Sequence, residues 1–323
     1  MGPPTGGERS LRALRSAVNA FFPANVAVRV GDRVRFVPNA YHTVDLPPRR
    51  GGPLPYGVPS GRATDVPDAA GRQFWFRGFD TFVLHPLLRS SAGAGTRSYD
   101  GTKRLKSGLP SNDGAKPLTV RFRRTGSYTY FCNIHGGMKG SVRVLPRARR
   151  VPTSTEDRKR VSRQMRAAIR TAERLARKRA VRRTIHVGRS GRGGVERFAF
   201  GPAALTVTAG TTITFAVTTG SRVAHTATTG PGSPLEEGSY LGDLARAPLG
   251  SHLNLAVGFP SEPPTVGVVN LTPRLHGNGF WNSGVMDGRG STPAKNRVRF
   301  SERGRYRFYC LLHPTMSTLV TVR

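Results

Sequence analysis

The chain has 323 residues but few cysteines, few acidic residues and no long apolar segment. Two cysteines are too few for a disulfide framework, so each domain must be stabilised by its own apolar core. No run of about 18 apolar residues occurs, which excludes a membrane-spanning helix. Residues 1–15 contain arginines but no apolar segment of the kind found in secretory signals. We therefore expect a protein that stays inside the cell, or one whose start is assigned too late or whose leader has been removed.

Positive charge dominates the composition. Lysine and arginine number 51 against 18 aspartates and glutamates, which gives a formal net charge of +33 and a pI near 11.7. A surface of this charge attracts anionic partners. The charge does not by itself distinguish nucleic acid, an anionic polymer of the cell envelope, acidic lipid and an acidic protein.

A short run of potential metal ligands occurs twice. Each copy has the spacing Cys-x2-His-x2-Met and directly follows a segment that reads as a β-strand; the copies are Cys132, His135 and Met138, and Cys310, His313 and Met316. Thiolate, imidazole and thioether donors together favour copper, and two histidines with one cysteine and a long axial methionine form the blue-copper arrangement. Each copy therefore requires one further histidine from elsewhere in the fold.

A candidate for the missing histidine precedes each copy. His42 comes directly before Thr43, and His225 comes directly before Thr226. The same dipeptide in both halves predicts that the two histidines complete the ligand sets. A disulfide between the two cysteines is the alternative, but their equivalent positions in the two halves favour thiolate ligands in two separate copper sites.

An internal repeat accounts for these matched positions. Near the start of each half, five residues match at one offset without a gap: Phe21, Pro23, Gly31, Val34 and Phe36 correspond to Phe200, Pro202, Gly210, Ile213 and Phe215. Apolar and polar residues alternate there with period two, which predicts a hairpin of half-buried strands. The chain length also fits about two domains. We predict domains at residues 1–150 and 185–323, with a linker at residues 151–184.

Residues 152–183 differ in composition from both halves and predict a helix of about 25 residues. Thr153 or Ser154 can cap its N-terminus, and Glu156 and Asp157 lie in its first turn, where the helix dipole favours acidic residues. Apolar residues then recur at spacings of three and four, while the other face is almost entirely arginine and lysine. We interpret this helix as a strut between the domains; binding of its basic face to anionic lipid or polymer is the alternative.

Between the first histidine and the cysteine, each half contains a long segment rich in glycine, proline, serine and arginine. Such segments are long for loops of a compact domain. We expect aromatic residues such as Phe74, Phe76 and Phe280 to pack, because they have large apolar surfaces to bury. A Ser-Gly pair recurs near the end of both segments, at Ser107 and Ser283.

Both halves resemble cupredoxins, the blue-copper family that includes plastocyanin, amicyanin and pseudoazurin. The resemblance covers the opening strands of each half and its closing strand and loop. It implies an all-β fold of two Greek-key β-sandwich domains, joined here by the amphipathic α-helix, with copper at one end of each sandwich. It also implies eight ligands in the family's chain order: His42, Cys132, His135 and Met138, then His225, Cys310, His313 and Met316.

The resemblance further implies electron transfer. In this family the histidine of the short loop commonly reaches the surface and passes electrons to a partner; here it would be His135 or His313. The loop from His313 to Met316 is most similar to that of amicyanin. We therefore predict an electron carrier with one mononuclear type 1 copper site per domain, cycling between Cu(II) and Cu(I).

Two other functions remain open. A two-domain copper oxidoreductase, of the nitrite reductase or small laccase kind, needs further histidines, but Phe131 and Tyr309 precede the cysteines and no His-x-His pair occurs. The four remaining histidines do not repeat, and we interpret them as structural or surface residues: His85, His186, His252 and His276. A protein that buffers or delivers copper has the same ligands, so the sequence separates it poorly from a carrier.

For an electron carrier, the positive charge predicts an acidic redox partner and an association rate that falls as salt rises. An anionic surface of the cell envelope is a second expected contact, through the basic helix. A scaffold that binds nucleic acid ranks low, because no nucleic-acid motif accompanies the charge. We expect a periplasmic or extracellular location, where such copper proteins usually work, although residues 1–15 show no leader.

Overall fold

The structure is a computed structural model that describes residues 5–37, 41–89, 91, 93, 95–109, 117–246, 254–290 and 292–323. By its internal contacts the chain divides into two compact units. Unit 1 contains Met1–Val58, Leu84–Arg174 and Gly191–Val195; unit 2 contains Pro59–Val83, Leu175–Ser190 and Glu196–Arg323. The boundaries predicted at residues 150 and 185 describe the repeat in the sequence, whereas each unit is built from several stretches of chain.

Most elements are strands. In the described residues the strands are β1 (Ser16–Val18), β2 (Asn25–Arg29), β3 (Arg33–Phe36), β4 (Asp45–Leu46), β5 (Gly57–Arg62), β6 (Asp80–Leu84), β7 (Thr96–Tyr99), β8 (Leu105–Lys106), β9 (Leu118–Phe122), β10 (Gly126–Phe131), β11 (Lys139–Leu145), β12 (Thr184–Gly191), β13 (Val195–Gly201), β14 (Ala204–Val207), β15 (Thr212–Ala216), β16 (Thr228–Thr229), β17 (Val268–Leu271), β18 (Trp281–Asn282), β19 (Lys295–Phe300), β20 (Gly304–Tyr309) and β21 (Ser317–Val322). The α-helices are α1 (Thr5–Ala13), α2 (Pro86–Arg89), α3 (Ser154–Arg177), α4 (Tyr240–Arg246) and α5 (Leu255–Gly258). Single 3-10 turns lie at Arg192–Gly194, Pro264–Val266 and Leu275–Gly277.

Unit 1 contains a β-sandwich. One sheet has the strand order β2-β11-β10-β4-β8, and the other has the order β3-β9-β7. β10 and β11 are antiparallel, whereas β2 runs parallel to β11. Neighbouring strands are thus often distant in sequence, as in a Greek-key sandwich. Side chains from both sheets form the core, among them Val120, Phe122, Tyr128 and Val142.

Unit 2 repeats this arrangement. One sheet has the order β14-β21-β20-β16-β18, and the second contains β13-β12-β15-β19-β17 in that order. The pairing directions also recur, because β20 is antiparallel to β21 and β14 is parallel to it. Phe215, Phe300, Phe308 and Val320 are fully buried between the sheets. The predicted all-β sandwich fold is confirmed in both units.

The opening strands of each half do not pair as the predicted hairpin. β2 pairs with β11 in one sheet, and β3 pairs with β9 in the other. Gly31, with a φ of 91°, occupies the turn between them. β14 and β15 are divided between sheets in the same way. The hairpin prediction was wrong because alternating apolar residues indicate a strand but do not specify its partner.

Part of the first half's long segment belongs to unit 2. Phe74 and Phe76 are buried there with Leu241 and Phe280, as predicted for these aromatic residues. Nε1 of Trp75 donates a hydrogen bond to the carbonyl oxygen of Pro260 at 3.1 Å. Phe74 and Phe76 are therefore covered within unit 2, whereas Phe79 and Phe82 of the same segment remain exposed.

The predicted amphipathic helix is α3. Its N-terminus has a capping box, in which Glu156 N–H donates to Thr153 Oγ1 at 3.2 Å and Thr153 N–H donates to Glu156 Oε2 at 2.7 Å. The helix has 24 residues, close to the predicted length of about 25, and it ends at Arg177. The Arg189 guanidinium donates hydrogen bonds to the carbonyl oxygens of the next two residues, Lys178 and Arg179. In the described part of the chain, no helix combines the length and hydropathy that a membrane crossing requires.

Candidate metal centres

Each cysteine lies directly after a strand that directs apolar side chains into the core. Along β10, Tyr128 and Tyr130 are each 2% exposed, and Cys132 beyond its end is 3% exposed. Alternate residues of a strand share one face, so the thiol continues the line of the tyrosines. The same pattern occurs along β20, with Tyr306, Phe308 and Cys310.

The short loop after each cysteine folds back on itself. In unit 1, Cys132 N–H donates to the carbonyl oxygen of Met138 at 3.0 Å, and Met138 N–H donates to that of His135 at 3.0 Å. The equivalent bonds in unit 2 are 3.2 and 2.9 Å long. The loop histidine and methionine are therefore held next to the cysteine at the start of the following strand, β11 or β21.

His42 and His225 each lie just before a short strand that pairs with the cysteine-bearing strand. His42 leads into β4, which pairs with β10, and His225 leads into β16, which pairs with β20. The backbone of His225 also pairs with Met286, through N–H···O bonds of 3.0 and 2.8 Å. Each upstream histidine thus lies beside the end of the strand that carries the cysteine.

In each unit one sulfur and two imidazole nitrogens converge. In site 1, Sγ of Cys132 lies 3.9 Å from Nδ1 of His42 and 3.6 Å from Nδ1 of His135. In site 2, Sγ of Cys310 lies 3.7 Å from Nδ1 of His225 and 3.5 Å from Nδ1 of His313. The donor atoms of each group all lie within 4.8 Å of one another. Met138 and Met316, the remaining predicted ligands, are buried at the ends of the same loops.

These separations fit a bound metal ion. Donors around one ion, at about 2.3 Å for sulfur and about 2.0 Å for nitrogen, lie roughly 3.5–3.8 Å apart when their bonds meet at about 110–120°. The four sulfur–nitrogen distances are within or close to that range. Nδ1 faces the sulfur in all four histidines, so each group presents a consistent set of donors.

Backbone amides contact both sulfurs in the same way. Thr43 N–H donates to Sγ of Cys132 at 3.5 Å, and Thr226 N–H donates to Sγ of Cys310 at 3.4 Å. An N–H group directed at a metal-binding sulfur stabilises negative charge on it and tunes the metal's potential. The His-Thr pair recurs in the sequence, but that pattern alone did not predict a role for the threonines.

Hydroxyl groups tie the ligand segments together. Oγ1 of Thr43 accepts a hydrogen bond from the N–H of Asn133, and Oγ1 of Thr226 accepts one from Leu311, each at 2.8 Å. Ser107 and Ser283, from the recurring Ser-Gly pairs, accept bonds at 2.9 and 2.8 Å from the residues after the two threonines. The sequence did not predict that these four hydroxyl-bearing residues contact the ligand segments; their recurrence in both halves was the available signal.

No protein-family model matches the chain, and no curated protein matches it. Among solved structures, a mutant of amicyanin in its Cu(I) form is 12% identical, with a TM-score of 0.23, over 43% of this chain and 80% of that chain. A purple cupredoxin from Nitrosopumilus maritimus is 18% identical, with a TM-score of 0.23, over 43% and 98%. Oxidised plastocyanin from Dryopteris crassirhizoma is 19% identical, with a TM-score of 0.22, over 43% and 99%. These low TM-scores carry no weight beside the strand pairing and the donor geometry.

The strand order and the chain order of the donor residues identify the fold of each unit. In both units a two-sheet sandwich places histidine, cysteine and histidine, in that chain order, where the cysteine-bearing strand ends. Each unit has a cupredoxin-like fold. The fold that the resemblance implied is therefore present twice, with the same strand neighbours around each site.

Burial lowers the basicity of the imidazoles in both cupredoxin-like units. It lowers the pKa of His42 and that of His313 to about 4. The pKa of His225 lies well below its ordinary value because of burial, with a further contribution from His313. Burial also raises the pKa of the Cys310 thiol, against the opposing effect of the Thr226 N–H. Neutral imidazoles offer free lone pairs at neutral pH, and a metal cation compensates a buried thiolate.

The groups behind the two sites differ. In unit 1, Asp45 is fully buried, with Oδ1 at 2.6 Å from Nη1 of Arg104 and Oδ2 accepting a bond from Nδ2 of Asn133 at 2.8 Å. The corresponding position in unit 2 is Thr228, whose hydroxyl donates to Oδ1 of Asn282 at 2.7 Å. Site 1 is thus backed by an ion pair in which the carboxylate is buried and the arginine partly exposed, and site 2 by neutral groups.

Access to the two sites differs as well. His42 and Met138 line a cavity of about 400 Å³ within unit 1, together with Asn19. In unit 2, His225 is only 2% exposed, and the ring of Phe198 lies 4.9 Å from that of His313 and 6.1 Å from that of His225, measured between centroids. Phe198 occupies the position that matches Asn19 in the repeat.

The other histidines have different surroundings. His276 is held in unit 2 between two carboxylates, with Nδ1 3.2 Å from Asp68 and Nε2 2.6 Å from Glu262. Burial alone would lower its pKa, but the hydrogen bonds to Glu262 and Asp68 outweigh burial and raise it. Nδ1 of His85 accepts the N–H of Leu87 at 3.2 Å, and His186 is half-buried in β12. His252 lies outside the described residues.

Proposed function

We propose that the protein is a copper-binding electron carrier with one mononuclear type 1 site in each unit. The ligands would be His42, Cys132, His135 and Met138 in site 1, and His225, Cys310, His313 and Met316 in site 2. The observation that carries the proposal is the convergence of one thiol and two imidazoles in each unit, within 4.8 Å. The matching strand order of the units supports an internal duplication of one cupredoxin domain.

The donor types favour copper over other ions. Thiolate, imidazole and a weak thioether form the set expected for an electron-transfer copper site, whereas carboxylate and carbonyl oxygens suit magnesium or calcium. When bound, copper would supply a one-electron change between Cu(II) and Cu(I). Among the described residues, two groups of three metal-binding side chains occur, and they are these two.

The chain's own residues would keep the site geometry fixed during electron transfer. The thiols are anchored at strand ends in a buried core, and the threonine amides contact both sulfurs. A ligand set that moves little between oxidation states lowers the cost of reorganisation. His135 and His313 are half-buried next to exposed loop residues, Gly137 and Thr315, so the imidazole edge offers a route for electrons.

The charge suggests the partner and its binding behaviour. A net charge of +33 favours an acidic redox protein, and the association rate should fall as ionic strength rises. We place this exchange in the periplasm or outside the cell. A rate that does not respond to salt would contradict an acidic partner.

Copper delivery is a second candidate for unit 1, because a cavity reaches His42 and Met138 there. Voltammetry of the copper-loaded protein, with and without a strong Cu(I) chelator, separates the two functions. A carrier gives reversible one-electron cycling for both sites that persists in the chelator through many cycles. Loss of the unit 1 signal within one reduction would favour delivery, and the Cys132→Ala variant, which retains site 2 alone, identifies the signals.

A further inference from the structure

A row of cationic side chains runs along the exposed face of α3. Lys159, Arg163, Arg166, Arg170 and Arg174 follow one another at spacings of four, three, four and four residues, and all five are exposed. Residues at these spacings lie on one face of a helix. With a rise of about 1.5 Å per residue, the basic row is about 22 Å long, and successive cations are about 4.5–6 Å apart along the axis.

The opposite face fixes the basic row in place. Five side chains of that face are buried: Val161, Met165, Ala168, Ala172 and Leu175. In unit 1, Nε2 of Gln164 donates to the carbonyl oxygen of Phe21 at 2.7 Å, which sets the rotation of the helix. A ligand that binds the row need not first order the helix, so little conformational entropy opposes binding.

The acidic residues in the first turn of α3 pair with arginines outside the basic row. Glu156 and Asp157 lie in the first turn of the helix. Glu156 pairs with Arg150, and Asp157 pairs with Arg160. For the described residues, no ion pair involves any of the five cations of the row. A groove of about 460 Å³ lies at the start of the row and is predominantly cationic. Arg143, Arg150 and Arg160 line it with Lys159 and Arg163, and Glu156 lines it as well.

We propose that the basic row binds a linear phosphate polymer without bases, such as inorganic polyphosphate. Guanidinium groups bind phosphate oxygens in a bidentate manner, and a regular row lets several phosphates of one chain bind at once. A membrane surface fits less well, because alanine is the only apolar residue at the exposed positions of α3 and interfacial helices insert larger apolar side chains. Nucleic acid also fits less well, because α3 contains no aromatic residue on which bases could stack.

The test compares two variants of equal charge in the metal-free protein of 323 residues. Arg163, Arg166 and Arg170 are changed to Gln in the row variant, and three exposed arginines of unit 2 are changed to Gln in the control: Arg299, Arg305 and Arg307. Binding of end-labelled polyphosphate, tens of units long, is measured by fluorescence anisotropy over a series of salt concentrations. Circular dichroism checks that both variants keep their helix content.

The row variant should bind at least tenfold more weakly than the unmodified protein, while the control should change less than threefold. The slope of log affinity against log salt should fall by about 2 in the row variant, since three contacts release roughly 0.7 counterion each. Equal losses in both variants would overturn the proposal, because net charge alone would then explain binding. Single-stranded DNA or phosphatidylglycerol vesicles that compete as well as polyphosphate, at equal phosphate concentration, would also overturn it.

Discussion

Site 1 and site 2 place the same donors at nearly the same distances, but in different surroundings. The sulfur–nitrogen separations are 3.9 and 3.6 Å in site 1 and 3.7 and 3.5 Å in site 2. Behind them, the ion pair of buried Asp45 with Arg104 in unit 1 is replaced by neutral Thr228 and Asn282 in unit 2. The donor geometry therefore depends on the strand end, the short loop and the threonine, which both units share. The donor geometry does not require the same residues behind the site.

The largest expected effect comes from breaking the ion pair behind site 1. Arg104→Gln leaves the carboxylate of Asp45 buried without its cation, which should lower the free energy of unfolding by about 3 kcal/mol. The matched change in unit 2, Thr228→Val, removes one neutral hydrogen bond and should cost about 1 kcal/mol. Chemical denaturation followed by circular dichroism measures both. Tryptophan fluorescence reports unit 2, because Trp75 and Trp281 both lie there. Equal losses in the two variants would contradict the contrast.

The surroundings should also separate the reduction potentials. The reduced site carries less positive charge, so the deeper burial of His225 should favour reduction at site 2. We expect its potential to be higher by about 60 mV or more, a tenfold ratio for one electron. Redox titrations of Cys132→Ala and Cys310→Ala, each of which leaves one site, give the two values. Potentials that coincide, or a higher value at site 1, would contradict this assignment.

The role of Phe198 in limiting access to site 2 is tested by substituting it and its counterpart in unit 1, Asn19. Phe198→Ala removes the ring beside His313 and His225, so a chelator should extract copper from site 2 roughly tenfold faster, equal to about 1.4 kcal/mol. The reciprocal change, Asn19→Phe, places a ring at the matching position in unit 1 and should slow extraction there. Stopped-flow absorption on single-site proteins follows each rate. If Phe198→Ala leaves the rate unchanged, Phe198 does not control access.

The smallest effect concerns the histidine that joins residues 59–83 to the rest of unit 2. The pKa of His276 is raised in the folded protein, so its stabilising contribution is complete below its unfolded value, about 6.5, and is lost as the pH rises through the raised folded value. His276→Gln should therefore cost about 1 kcal/mol at pH 5.5 and less at pH 9. Denaturation followed by tryptophan fluorescence measures it. A cost that grows with pH would contradict the sign of this shift.

Local patterns in the sequence predicted which segments come together around each cysteine. The strand before each cysteine, the return loop and the approach of His42 and His225 follow from period-two alternation and from ligands that recur in order. The capping box predicted the start of α3. These features depend on residues that are close in sequence or that repeat.

Other features depend on contacts between distant segments, which leave no local pattern. The alternation around Gly31 indicated two strands but could not show that they join different sheets. Phe74 indicated a buried segment but not that Leu241 and Phe280 cover it. The pairing of Asp45 with Arg104 could not be read from the sequence either, because the repeat has no second copy of it.

Titration of the metal-free protein with Cu(II) would show whether both units bind copper through their thiols, with visible absorption and electron paramagnetic resonance as the readouts. We expect an intense thiolate-to-copper band that saturates at two equivalents and is about halved by Cys132→Ala or by Cys310→Ala. Saturation at one equivalent would mean that one site does not bind copper as proposed. Absence of the band in the unmodified protein would contradict the copper assignment in both units.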